Sequence, residues 1–146
     1  MPNAADLHRE MFNAIQKRDY ETIRSLFMPR SIHVSGDGIE KAGPDPVVAE
    51  VETFTTAFPD LTIMIRRHHV PSNQVSIIEY AFEGTHLGEL DGLPPTNEKI
   101  SVVACSVLET DGEMIAREAD YFDTMALLDQ LGTRPSAAGA AVEAAP

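Results

Sequence analysis

The chain has one cysteine, Cys105, few basic residues and no long apolar run. One thiol cannot close an internal disulfide or build a cysteine-rich metal site, and Cys105 sits in a Val/Ala/Ser run that reads as core. A reducing, cytoplasmic setting is therefore expected. Eleven Lys and Arg against 23 Asp and Glu leave a net charge of −12, which opposes binding to nucleic acid and to anionic membrane surfaces. No apolar stretch approaches the roughly 20 residues that span a bilayer, and the N-terminus carries no basic segment followed by an apolar one. The reading is a soluble, unprocessed protein. Glycine-rich nucleotide loops and the Gly-x-Ser-x-Gly elbow are also missing, so nucleotide binding and serine hydrolysis lack support. His68 and His69 are adjacent and would point to opposite faces of a strand, so they cannot share a metal. No cofactor and no metal are expected.

What is present is one domain's worth of patterned chain: 146 residues, 43% hydrophobic, enough for a single core and too short for two ordinary ones. Leu7, Met11, Ala14 and Ile15 recur at helical spacing over Ala4 to Lys17, with Asn3 as N-cap. Asp19 can cap a second short helix carrying Ile23, Leu26 and Phe27, with Pro29 as its stop. Ser31 to Ser35 alternates as a strand, and Gly36-Asp37-Gly38 turns the chain. Pro44-Asp45-Pro46 opens a third helix with the stripe Val47, Val51, Phe54 and Phe58. The period then changes from 3.6 to 2. Leu61 to Val70, Val75 to His86, Lys99 to Thr110 and Met114 to Asp123 read as strands, linked by Pro71-Ser72-Asn73, a Gly/Pro loop over Leu87 to Glu98, and the Asp111-Gly112 turn. Short links favour antiparallel pairing. Thr124 to Leu131 closes as a helix ended by Gly132, and the Ala/Gly/Pro tail has nothing to pack. The expected order is α-α-β-α-β-β-β-β-α: an α+β fold over residues 1–132, a curved antiparallel sheet wrapped on helices with a cavity between them, followed by a disordered tail over 133–146.

The most informative segment is Met114 to Gly132, which sets Asp120 within an apolar strand running into the closing helix. In a dry pocket its pKa would rise and make it a proton shuttle; the alternative is a structural carboxylate bonded to Thr124 or a loop amide. Glu118, two residues earlier, shares the strand face unless a bulge near Ala119 turns it to solvent. Two inward carboxylates would repel and raise one pKa.

Three stretches, Ala57 to Leu61, Gly84 to Thr96, and Asp120 to Thr124 with Leu127 to Gly132, resemble the SnoaL-like polyketide cyclases of the nuclear transport factor 2-like superfamily. That group also holds limonene epoxide hydrolase and ketosteroid isomerase. The resemblance covers roughly residues 4 to 132. It implies a cone of curved antiparallel sheet closed by helices, often dimeric through the sheet, and places the acid/base aspartate on Asp120. It also sets His33 near a substrate-contacting position; the other reading is a partly exposed strand-edge histidine. The hydrolase's second acid and arginine would lie on the strand that here carries Tyr80 and Phe82, which read instead as pocket wall, with the Tyr80 hydroxyl a possible donor. The isomerase's base would fall near Ser35, with Asp37 able to approach by the same alternation. His86 either gates the cavity or caps a turn. Catalytic candidates are thus Asp120, Glu118 and His33; substrate-binding candidates are Tyr80, Phe82, Ser35, Asp37 and His86.

Three functions are in contention: a cofactor-independent cyclase acting on a small apolar carbonyl-bearing metabolite, an epoxide-opening enzyme, and a non-catalytic dimeric binding module. The first is expected, as a homodimer.

Overall fold

The computed structural model describes residues 2–133; the tail expected to be disordered lies, beyond Thr133, outside the described residues. Two helices, α1 (Ala4–Lys17) and α2 (Tyr20–Leu26), lead into β1 (Phe27–Val34) and the short β2 (Glu40–Ala42). Helix α3 (Asp45–Ala57) precedes β3 (Thr62–His69), β4 (Val75–Thr85), β5 (Lys99–Thr110) and β6 (Ile115–Phe122), and α4 (Thr124–Gln130) follows. The sequence order therefore gains one strand, β2, whose three residues are all exposed and leave no alternation to read.

Local chemistry explains the helix ends. Asn3 and Asp6 form a reciprocal capping box at the start of α1, satisfying two orphan N–H groups. Asp19 accepts from Thr22 N to start α2, and Arg18, left-handed at φ 58°, makes the tight joint between the two helices. Pro29 does not stop a helix. It lies within β1, in a stretch where the ladder to β6 slips between Phe27 and Ile32, and a residue without an N–H is tolerated at such an irregularity.

The six strands form one curved sheet in the order β2-β1-β6-β5-β4-β3. Strands β3 to β6 pair antiparallel as expected, β4 and β5 across a long loop. One pairing departs from that pattern: β1 lies parallel to β6. These two strands are separated by most of the chain, so no hairpin dictates their direction.

The helices cover one face, where Leu7, Met11, Phe12, Ile23, Phe58, Ile78, Leu108 and Ile115 form the buried core. Along β5 burial alternates strictly from Ile100 to Leu108, which puts Cys105 on the outer, partly exposed side rather than in the core. The long loop after β4 is pinned to the end of α3, with Leu87 N and Gly88 N both donating to Ala57 O. A Cβ at Gly88 would lie 2.2 Å from Thr56 O, so only glycine permits that approach.

Candidate active site

Between α1, α3 and the concave sheet face lies a half-open cavity. Its walls are apolar: Met11 and Ile15 from α1, Val47, Val51 and Phe54 from α3, Phe82 and Phe122 from the sheet. Phe54, Phe82 and Phe122 meet edge to face, with ring centroids 5.6–6.1 Å apart, so the aromatic wall is mutually braced.

The polar groups converge at one place. Glu118 and Asp120 both point inward from β6. The irregularity in the β5–β6 ladder falls between Glu109 and Thr110, opposite Ala116, so the bulge near Ala119 is ruled out and the shared face holds. Asp120 reaches neither Thr124 nor a loop amide; its Oδ1 accepts from the Tyr80 hydroxyl at 3.0 Å. Burial, the charge of Glu118 and a hydrogen bond to it drive the Asp120 carboxyl well above the usual carboxylate range. Burial above all, with the Asp120 carboxyl beside it, likewise raises the Tyr80 phenol and keeps it in its protonated, donating form.

Glu118 is 1% exposed, and two donors reach its carboxyl group. Ser106 Oγ donates to Oε2 at 2.7 Å and His33 Nδ1 to Oε1 at 2.9 Å. His33, 1% exposed and thus no strand-edge residue, donates its other nitrogen to Glu50 Oε2 at 2.5 Å. Burial alone would strip the ring of its proton, but the hydrogen bonds and charges of Glu118 and Glu50 outweigh it and raise the pKa to about 10. His33 is therefore an imidazolium between two carboxylates, which lowers the cost of burying Glu118 as an ion.

Candidate atoms of His33, Glu50 and Asp120 lie within 4.8 Å of one another, a spacing open to a cation. In the arrangement present both His33 nitrogens are committed to carboxylates, so a cation there would have to displace the His33–Glu50 contact.

The remaining candidates divide. Tyr80 and Phe82 line the cavity. Ser35 and Asp37 stand at an outer vestibule shared with Phe54, Phe122, Leu90 and Leu127, and the Asp37 carboxylate is engaged by Ser35 Oγ and Ile39 N of its own turn. His86 does not reach the cavity. It is fully buried, its Nδ1 accepts from Thr96 N, and it packs on Phe58 as the staple of the long loop. His68 and His69 do part to different neighbours, Ser76 and Glu79. The site residue that sequence reasoning missed is Glu50. Its signal was available, since it falls three residues after Val47 and four before Phe54, on the same helical stripe.

Comparison with known proteins agrees with this architecture. No curated protein sequence matches the chain. Among solved structures, AclR of Streptomyces galilaeus, described as a candidate hydroxylase, superposes with a TM-score of 0.77 at 26% identity, over 88% of this chain and 95% of its own. A candidate SnoaL-like polyketide cyclase from Jannaschia sp. CCS1 reaches 0.81 at 14% identity, over 92% and 97%. A Catenulispora acidiphila protein with a ketosteroid isomerase-like fold, complexed with trimethylamine, reaches 0.71 at 17%, over 87% and 92%. With a family model matching residues 5–131 and this cone of sheet around an inward acidic pair, the chain belongs to the SnoaL-like polyketide cyclase family, in the nuclear transport factor 2-like fold.

Proposed function

We propose that the protein is a cofactor-independent cyclase that closes a ring in a small, mostly apolar, carbonyl-bearing metabolite, with Asp120 as its proton donor and acceptor. The observation that carries this reading is the inward Asp120–Glu118 pair at the polar end of an otherwise apolar cavity, where burial and the neighbouring Glu118 raise the Asp120 carboxyl well above the usual carboxylate range. Such a pair holds an acid and a base at once. In an aldol closure, the C–H between two carbonyls breaks and its proton passes to the ionised member. The carbanion attacks the facing carbonyl carbon, and the electron pair of that C=O becomes an alkoxide that takes the proton of Asp120. Transfer between the two carboxyls restores the starting state. Tyr80 steadies Asp120 as its charge changes. The phenylalanine wall folds the chain into its reactive shape, where effective molarities reach roughly 10⁵ M or more.

Asp120→Asn is expected to lower turnover of linear poly-β-carbonyl thioesters about 10²- to 10⁴-fold, with ligand affinity near wild type by calorimetry. Undiminished turnover would sink the assignment.

Glu50 favours a second reading, epoxide opening, because it supplies near Asp120 the additional carboxyl that β4 lacks. Incubation of an epoxide panel in ¹⁸O water separates the two: labelled diol supports the second reading, and unchanged epoxides remove it.

A further inference from the structure

Beneath the acidic pair lies a buried group that ring closure does not use. His8, on the inner face of α1, is fully buried and packed edge-on against Phe12, yet both of its ring nitrogens are hydrogen-bonded. Nε2 lies 2.9 Å from Ser106 Oγ, and Nδ1 lies 2.8 Å from Ser76 Oγ. Ser106 Oγ continues to Glu118 Oε2 at 2.7 Å. Ser76 Oγ continues, also at 2.7 Å, to Nε2 of His68, which is partly exposed on the edge strand β3. Side chains from α1, β3, β4, β5 and β6 thus form an unbroken line from the protein surface to the acidic pair.

The line has a direction. Ser106 gives its one hydroxyl proton to Glu118, so its oxygen must accept from His8 Nε2–H. Burial pushes the His8 pKa down to about 4, so the ring is neutral, Nδ1 bears a lone pair, and that lone pair takes the Ser76 proton. Ser76 in turn accepts from His68 Nε2–H. Every donor points toward Glu118.

We propose that His68, Ser76, His8 and Ser106 form a proton relay that exchanges a proton between bulk water and the Glu118–Asp120 pair through the packed interior, bypassing the cavity. Water protonates His68 at Nδ1, and His68 releases its Nε2 proton to Ser76. Ser76 passes its own proton to His8 Nδ1, His8 passes its Nε2 proton to Ser106, and Ser106 passes its proton to Glu118. His8 changes tautomer without ever becoming charged, and one proton moves overall; the reverse sequence empties the pair. The relay rests on the reading that this pair is the acid/base, because its use is to set the proton count when substrate fills the cavity and excludes water. His8 and both serines are positioning residues in this sense, since none of them touches substrate.

The test needs no substrate, so its outcome is independent of whether ring closure is the reaction. With ¹⁵N-histidine in the full chain, long-range ¹H–¹⁵N correlation should show His8 as the Nε2–H tautomer at neutral pH. Exchange of that proton with water should slow at least tenfold in His68→Phe, which plugs the entry, and in Ser76→Ala, which cuts the line. A role limited to tying α1 to the sheet would leave the exchange rate where it is. An Nδ1–H tautomer, or wild-type exchange in either folded variant, overturns the relay. Should Ser76→Ala fail to fold, His68→Phe, at a partly exposed position, decides alone.

Discussion

At the scale of single residues, His33 links the site to the stability of the fold. Its pKa stands near 10 in the folded protein and near 6.5 in the unfolded chain. Between those values the folded state holds a proton that the unfolded state has lost. The stability His33 contributes is therefore fully present below about pH 6.5 and lost as pH rises toward 10, by up to about 1.4 kcal/mol per pH unit. Urea unfolding between pH 6.5 and 10 should show that decline. In Glu50→Gln one of the two carboxylates that raise the pKa is gone, so the decline should end at a lower pH and be smaller in total, and the His33 ring should titrate lower by NMR. An unshifted His33 titration in that variant would mean that Glu118 alone sets its charge. His8 has the opposite sign: depressed to about 4, it contributes stability above pH 6.5 that is lost as pH falls toward 4.

At the scale of elements, the cavity depends on how the loop after β4 meets α3. Leu87 and Gly88 both cap the last carbonyl of the helix, Ala57 O, and His86 anchors the loop behind them. That contact fixes the end of α3, the helix that supplies Glu50, Val51 and Phe54 to the cavity wall. Gly88→Ala forces a Cβ onto Thr56 O and should destabilise the protein by about 1–3 kcal/mol, the usual cost of an overpacked contact. Thermal unfolding checks it; an unchanged midpoint would show that the loop can lift off α3 without cost. Helix positions were legible in advance because caps and stripes act locally: Asn3, Asp19 and the Val47–Phe58 stripe each determine their own turn. Strand β2 and the true place of Pro29 were not. Three exposed residues carry no period, and the tolerance of Pro29 within β1 rests on the slipped ladder to β6, some 85 residues away.

At the scale of the whole molecule, the outer face of the sheet shows Met64, Val103 and Tyr121 at 36%, 61% and 50% exposure. Those residues support a sheet-to-sheet homodimer as a proposal, since apolar groups on an open sheet face favour burial. Sedimentation at micromolar concentration should show a dimer that Val103→Glu splits. A wild-type monomer at all concentrations would end that proposal. No helix among the described residues is long and apolar enough to cross a membrane.

The sequence by itself determined the helices, the four long strands and the place of Tyr80 and Phe82 in the pocket wall, because periodicity and capping are local and a strand's two faces alternate without reference to its partners; the inward direction of Glu118 and Asp120 was decided by the β5–β6 register. It also carried the family, through motifs whose spacing the fold preserves. Only the tertiary structure decided which inward groups meet. It made His33 an imidazolium by setting α3's Glu50 against β6's Glu118, turned His86 into a loop anchor, moved Cys105 to the outer face and aligned His8 with Ser76 and Ser106. The charge and donor direction of a buried group depend on neighbours brought from distant parts of the chain, and no local pattern encodes them.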